Sequence, residues 1–140
     1  MKKILLSLLL FACTQINAQT VIGKWKTIDD KTGKAKSIVE IYESNGKVFG
    51  KVTEIFDETK RDRKCDKCEG TDKNKPVLGM VIIRGMKKDG SEYNGGKILD
   101  PESGSMYKCN LELEGKDKLV VRGYMGISLI GRSQTWVRVR

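Results

Sequence analysis

Short segments in which apolar and polar residues alternate recur along this chain, and each ends in residues typical of turns. A period of two is the repeat of a β-strand, whose successive side chains point to opposite faces. Segment 105–113 shows the pattern most clearly, because Tyr107, Cys109 and Leu111 alternate with mostly polar residues. No segment carries a sustained helical period. The chain is therefore predicted to be all-β.

The turn signals divide the sequence into about eight strands. Asn45-Gly46 is the strongest signal, because a type I′ hairpin turn needs positive φ at both central residues. Gly95-Gly96, within one strand, predicts a bulge or a sharp bend. The predicted strands are 21–28, 35–43, 47–55, 77–84, 91–99, 105–113, 118–124 and 133–139. Short links between this many strands favour an antiparallel up-and-down β-barrel of lipocalin size, with a two-sheet sandwich as the alternative.

Segment 56–76 interrupts the alternating strand pattern, since it is long, charged and irregular, and ends at Pro76. Loops of this length are commonly functional, so we expect a lid or a binding loop. The strand predicted after it, 77–84, is so apolar that neither of its faces is expected to meet water.

The first eighteen residues have the pattern of a signal peptide. Lys2 and Lys3 precede a run of nine residues at 4–12 that is apolar except for Ser7, and Ala18 provides a small residue at the expected cleavage site. The apolar run is too short to span a bilayer. We expect residues 1–18 to be removed and residues 19–140 to form one β-barrel domain, exported to the periplasm or secreted. In the alternative, Leu10 to Cys13 act as a lipobox and Cys13 anchors a lipoprotein.

The charge of the mature chain is positive. Removing two of the 27 basic residues with the leader leaves 25 against 18 acidic ones, a net charge of +7. Outside the cytosol, such a surface favours an anionic envelope component over nucleic acid, and the charges lack the interleaved aromatics of a single-strand platform. No later segment is long and apolar enough to be a transmembrane helix.

The absence of histidine limits the possible chemistry. Without histidine, Ser–His and Cys–His nucleophiles are excluded. The carboxylates cluster at turns, and none has neighbours that would raise its pKa. We therefore expect no enzyme, no catalytic residue and no cofactor.

Cys65 and Cys68 lie on the irregular segment with two residues between them. A disulfide formed in an oxidising compartment explains this spacing. The alternatives are a redox pair, a metal site completed by carboxylates, or reduced thiols, and no thioredoxin-like unit or histidine supports the first two. Cys109, on the apolar face of its strand, is expected to be a buried free thiol, with pairing to Cys65 or Cys68 as the alternative. Asp72-x-Asn74 lacks the remaining ligands of a calcium loop, so no metal site is predicted.

Segment 123–131 is apolar with spaced glycines. It fits either a tight buried crossing or a rim around a ligand mouth. The sequence also allows two interpretations of the barrel interior, one filled by side chains and one containing a cavity. Large side chains such as Leu78, Met80 and Ile82 favour a filled barrel, whereas the many glycines favour a cavity.

Two features resemble the calycin superfamily, which includes lipocalins, fatty-acid-binding proteins and avidins. Gly23-Lys24-Trp25 resembles its Gly-x-Trp signature, and Arg138, two residues after Trp136, resembles the arginine that packs on that tryptophan. An indole ring and a guanidinium form a cation–π contact. Gly23, Trp25 and Arg138 are therefore expected to close one end of the barrel.

A closer resemblance covers nearly the whole mature chain. Motifs in the order Cys65-Asp66-Lys67-Cys68, 95–101 (Gly-Gly-Lys-Ile-Leu-Asp-Pro), Tyr107-Lys108-Cys109 and 131–136 (Gly-Arg-Ser-Gln-Thr-Trp) resemble the bacterial exported family called domain of unknown function 2147 (DUF2147). The resemblance implies a lipocalin-like barrel in the cell envelope and implies no activity. Two functions remain: binding of a small apolar or amphipathic ligand or envelope lipid, or a side-chain-filled structural barrel whose basic surface docks to an anionic partner.

Overall fold

The computed structural model describes residues 20–125 and 131–140. The predicted leader 1–18, with the lipobox cysteine Cys13, lies outside the described residues. The strands are β1 (Gly23–Ile28), β2 (Ala35–Ser44), β3 (Lys47–Ile55), β4 (Val81–Asp89), β5 (Glu92–Asp100), β6 (Ser105–Glu114), β7 (Lys118–Tyr124) and β8 (Gly131–Arg138). They form a closed antiparallel barrel in which every strand pairs with its sequence neighbours and β8 pairs with β1. The prediction of an up-and-down barrel is confirmed, and the sandwich alternative is wrong.

The turn signals determine where the strands reverse. Asn45 and Gly46 both have positive φ, 53° and 77°, and join β2 to β3 as a tight hairpin. The bulge predicted in β5 is present: the register with β6 shifts between Tyr93 and Gly96, and Gly95 has a φ of 79°. A Cβ at Gly96 would overlap the Arg84 carbonyl oxygen, so glycine is required where β5 packs against β4 at this bulge.

The predicted start of β4 is wrong by four residues. Residues 77–80 are not a strand, because Gly79 has a φ of 89° and turns the chain. The Gly79 N–H donates to the Val52 carbonyl at 2.7 Å, and the Val52 N–H donates to the Met80 carbonyl at 2.9 Å, so the chain is tied to β3 before the ladder begins. Leu78 is 41 % exposed, which contradicts the expectation that this apolar segment avoids water. At its other end β4 continues through Asp89, beyond the predicted end at Arg84, and the chain turns at Gly90 and Ser91.

The barrel has two different ends. The closed end holds the chain termini of the barrel and the hairpins β2–β3, β4–β5 and β6–β7, whereas the mouth holds the connections β1–β2, β3–β4, β5–β6 and β7–β8. Large side chains that are fully buried fill the interior near the closed end: Trp25, Ile41, Met86, Leu111 and Leu119. Because strand side chains alternate, these residues share the inward face with the smaller side chains nearer the mouth.

The connection between β3 and β4, residues 56–80, is here called the mouth segment. It contains two 3-10 turns, Glu58–Lys60 and Gly70–Asp72. Its two arms pair with each other: Cys65 N–H donates to Lys75 O at 2.8 Å, and Val77 N–H donates to Arg63 O at 3.0 Å. The segment is therefore an ordered hairpin-like cover. Among the residues described, no helix is long and apolar enough to cross a membrane.

Candidate ligand-binding cavity

A cavity of about 830 Å³ occupies the mouth half of the barrel. All eight strands contribute to its lining, as does the mouth segment. This volume lies within the ~300–1,000 Å³ that small-molecule sites usually have. The interior is therefore filled by side chains at the closed end and open at the mouth. The alternative of a barrel filled by side chains throughout does not fit this cavity.

One side of the cavity is apolar. Trp136, on β8, and Val121, on β7, are buried at the inner end of the cavity, 2 % and 3 % exposed. A second apolar wall consists of aliphatic side chains from β3, β4 and β5: Val52, Ile55, Ile82, Ile98 and Leu99. Apolar surface of this kind gains roughly 25 cal/mol for each Å² that a ligand removes from water.

A row of polar side chains runs along β8, β1 and β2. Thr27 Oγ1 and Ser37 Oγ share a hydrogen bond of 2.7 Å. Gln134 accepts a hydrogen bond from Trp136 Nε1 at 3.1 Å and donates to Asp30 Oδ2 at 3.2 Å. Because β8, β1 and β2 are adjacent, these groups form one polar strip along an otherwise apolar cavity. Such an arrangement orients a ligand that has both polar and apolar faces.

The rim of the cavity is charged. Lys36 Nζ lies 2.7 Å from Glu102 Oε1 and 4.0 Å from Asp29 Oδ2, so it joins the β1–β2 and β5–β6 connections. Arg132, at the start of β8, pairs with Asp30. Further cations on the rim are Lys34, Lys60 and Arg63.

The rim carboxyls are held ionised by local hydrogen bonds. The backbone N–H groups of Thr32 and Lys31 lower the pKa of Asp29 below its usual value. The Thr59 hydroxyl, followed by its N–H, does the same for the pKa of Asp57. These carboxylates are therefore caps of their own turns rather than groups prepared to release or accept a proton at neutral pH.

Cys65 and Cys68 are joined by a disulfide within the mouth segment, with a Cα–Cα distance of 5.3 Å. Both are buried, and the Cys65 sulfur lies 3.6 Å from the Pro101 carbonyl oxygen. A Cβ at Gly104 would overlap the Lys67 carbonyl, so the turn between β5 and β6 packs directly on the disulfide loop. The disulfide thus positions the mouth segment against the barrel.

The other predicted residues are distributed over the barrel. Cys109 is a free, buried thiol on β6. Asp72 forms a bidentate pair with Arg84, both N–O distances being 3.0 Å, so its carboxylate is occupied. Across the parts of the chain that are described, no group of three or more His, Cys, Asp or Glu side chains could hold a metal.

At the closed end, Arg138 lies over the Trp25 ring, with its Cζ 4.3 Å from the ring centroid. A Cβ at Gly23 would lie 2.9 Å from Arg138 Nη1, which explains the glycine at this position. The three residues are together and remote from the cavity.

The described residues of the glycine-spaced segment 123–131 show both a close strand crossing and a place on the cavity rim. A Cβ at Gly131 would lie 2.7 Å from Gly123 O, so β7 and β8 approach closely there. Gly123, Tyr124, Met125 and Gly131 also line the cavity. Residues 126–130 lie outside the described residues.

Sequence reasoning missed the rim and the polar strip. Lys60 and Arg63 belong to a charged loop whose sequence does not reveal which side chains face inward. Ser37 and Gln134 do have a signal, because each occupies an inward position in an alternating strand where an apolar residue is expected.

The fold and the cavity define a lipocalin-like barrel. Protein HP1028 from the human pathogen Helicobacter pylori, described as belonging to the lipocalin family, is structurally similar with a TM-score of 0.75. It is 22 % identical in sequence, and the match covers 86 % of this chain and 84 % of that one. Residues 23–138 match the family described as "Uncharacterized protein conserved in bacteria (DUF2147)", and the chain belongs to this family. No curated protein matches the sequence.

Proposed function

We propose that this protein binds a small apolar or amphipathic ligand, such as an envelope lipid, in the cavity at the barrel mouth. The observation that carries the proposal is a cavity of about 830 Å³ above a densely filled barrel base. A pocket of this size can enclose most of the surface of a small ligand, which is the condition for useful affinity.

The lining supports a ligand with two chemical ends. The buried surfaces of Trp136, Val121 and Val52 would cover an aliphatic chain or ring. The hydroxyl pair of Thr27 and Ser37 would bind a polar group at the side. We propose binding without catalysis, since the rim carboxylates serve as turn caps and ion-pair partners.

We further propose that the protein works outside the cytosol. The N-terminal pattern with Lys2, Lys3 and Ala18 is that of an export signal. The Cys65–Cys68 disulfide supports an oxidising compartment. Envelope lipids and other amphiphiles are ligands that such a compartment supplies.

The first test compares native and denatured mass spectra of the protein purified gently from a bacterial periplasm. We expect a mass excess that is lost on denaturation. In parallel, the emptied protein is titrated with the neutral apolar fluorophore N-phenyl-1-naphthylamine, whose emission rises in an apolar site. Saturable binding with one site per barrel is expected.

Two substitutions to tryptophan locate the binding site. Ile55→Trp adds bulk inside the cavity, whereas Val137→Trp adds it on the outer wall, where Val137 is 38 % exposed. We expect Ile55→Trp to weaken fluorophore binding at least about tenfold and Val137→Trp to leave it unchanged. Equal binding by both variants, or no binding by the wild-type protein together with a clean apo mass, contradicts the proposal.

A further inference from the structure

The acidic side chains at the cavity rim are hydrogen-bonded within the protein, whereas, in the part of the chain that the structure describes, two of the basic side chains are not. Asp29 Oδ1 accepts hydrogen bonds from the N–H groups of Lys31 and Thr32 at 2.8 and 2.9 Å. Asp100 accepts from the Glu102 N–H and the Ser103 hydroxyl, both at 3.0 Å. Asp57 is bonded in the same way by Thr59. Each of these aspartates is therefore already bonded within its own turn.

Two rim cations, Lys60 and Arg63, have no comparable hydrogen-bond partners among the residues described. Both line the cavity, and within the described chain neither side chain forms a direct hydrogen bond or ion pair. The third cation of this corner, Lys36, is engaged by Glu102 at 2.7 Å. Lys60 and Arg63 thus offer donors to a group that enters the mouth.

These cations lie near the carboxylates of Glu102, Asp29 and Asp57. The Lys36 hydrogen bond is the main cause of the lowered pKa of Glu102, and the charges of Arg63 and Lys60 lower it further. Asp29 and Asp57 are bonded within their own turns, and Glu102 is bonded to Lys36. The donors of Lys60 and Arg63 therefore remain available at this corner of the rim. The polar strip of β8, β1 and β2 continues from the same corner into the cavity through Ser37.

The backbone that carries the two cations is fixed. The Arg63 N–H donates to Lys60 O at 3.1 Å, and the Arg63 carbonyl accepts from the Val77 N–H at 3.0 Å. The Cys65–Cys68 disulfide follows directly. A rigid backbone lowers the entropic cost of ordering these side chains around a ligand.

We infer that the ligand of the cavity carries an anionic head group, a carboxylate or a phosphate monoester, that binds Lys60 and Arg63 at the rim while its apolar part enters the barrel. This inference rests on the proposed function and names the ligand class of the same site. An arginine donates two parallel hydrogen bonds to either anion, and lysine adds a point charge. The burial of an apolar chain places the head group at the level of the rim.

The test uses amphiphiles with one alkyl chain and different head groups, each added below its critical micelle concentration. Dodecanoate and dodecyl phosphate are the anions, dodecanol is neutral, and dodecyltrimethylammonium is the cation. Displacement of N-phenyl-1-naphthylamine from the full mature chain gives each affinity at low and high salt. We expect the better anion to bind about tenfold more tightly than dodecanol, and this advantage to shrink at high salt. The better of the two anions identifies the head-group chemistry.

A pair of double variants with the same change of net charge provides the control. Lys60→Gln/Arg63→Gln is expected to remove the preference for the anion while dodecanol binds as before. Lys97→Gln/Lys108→Gln changes two exposed lysines on the outer wall and should keep the preference.

Three outcomes separate this inference from the proposed function. If anionic and neutral amphiphiles bind equally, or the two double variants behave alike, the inference is overturned while the proposed function stands. If neither the fluorophore nor any amphiphile binds, the proposed function itself is overturned. Loss of anion preference in the rim variant alone supports both.

Discussion

Arg138 holds the closed end of the barrel together through its contact with Trp25. Its guanidinium carbon lies 4.3 Å from the centroid of the indole ring. The same group donates to three backbone carbonyls, Thr20 at 2.8 Å, Ile22 at 3.1 Å and Lys116 at 2.8 Å. One side chain on the last strand therefore binds the segment before β1, the turn between β6 and β7, and the face of the buried tryptophan.

Replacing Arg138 should destabilise the barrel. We expect Arg138→Ala to lower the free energy of unfolding by about 2–3 kcal/mol, because a cation–π contact and charged hydrogen bonds are lost together. Arg138→Lys should recover less than half of this loss, since an ammonium group cannot reach three carbonyls in different directions. Urea unfolding measures both effects.

Arg140 is the control for this prediction. It forms an exposed pair with Asp117, and such pairs contribute about 0–1 kcal/mol. Arg140→Ala should therefore change stability little. If Arg138→Ala and Arg140→Ala have the same effect, the contact with Trp25 does not hold the closed end together.

The fold was predictable because its determinants are local. Asn45-Gly46 specifies one hairpin, and the alternation in β6 identifies its inward face before any pairing is known. The start of β4 was not predictable, because it depends on the hydrogen bonds of Gly79 and Val52 across two strands. Sequence composition also gives no information on which loop cations face inward, and so Lys60 and Arg63 became visible only in three dimensions.

Reduction of the Cys65–Cys68 disulfide should loosen the mouth segment without unfolding the barrel. The bridge closes a loop of only a few residues, which limits its entropic contribution to about 2 kcal/mol. In reductant, we expect faster hydrogen exchange at the amides of Cys65, Asn74 and Val77, whose partners lie within the segment. Amides of the β6–β7 ladder provide the internal control. Uniform acceleration over the whole barrel would contradict a local role.

Acid should loosen the mouth before it unfolds the barrel. Hydrogen bonds from Thr32 and Lys31 lower the pKa of Asp29, and the hydrogen bond from Arg84 lowers the pKa of Asp72. A lowered carboxyl pKa adds stability above the ordinary value, near 4, and that stability is lost as pH falls through the lower value of the folded state.

The measurement is amide hydrogen exchange at about pH 6 and about pH 3, with each exchange rate corrected for the intrinsic rate at that pH. The amides of Lys31 and Thr32, which donate to Asp29, should lose protection before those of the β6–β7 ladder. Asp29→Asn should reduce the difference between the two conditions at these amides. The idea fails if the ladder opens at the same pH as the turn.

Cys109 should be inert in the folded protein. It is 1 % exposed on the inward face of β6, and burial raises the pKa of its thiol to about 12. Because only the thiolate is nucleophilic, native protein at about pH 8 should resist iodoacetamide, whereas unfolded protein should gain one adduct. Cys65 and Cys68 are blocked by their disulfide, so in a protein of residues 19–140, which lacks Cys13, the adduct reports on Cys109 alone.

The same burial has a consequence at alkaline pH. The unfolded thiol loses its proton near pH 9, whereas the folded thiol keeps it to about pH 12, so the folded state binds more protons in this interval and stability falls as pH rises. Cys109→Ala should flatten this dependence in urea unfolding between about pH 9 and about pH 11, because alanine has no proton to lose. The matched variant is Val121→Ala, which truncates a buried residue on the neighbouring strand and should lower stability by a similar amount at every pH. An identical alkaline slope in wild type and Cys109→Ala would show that another group causes the loss.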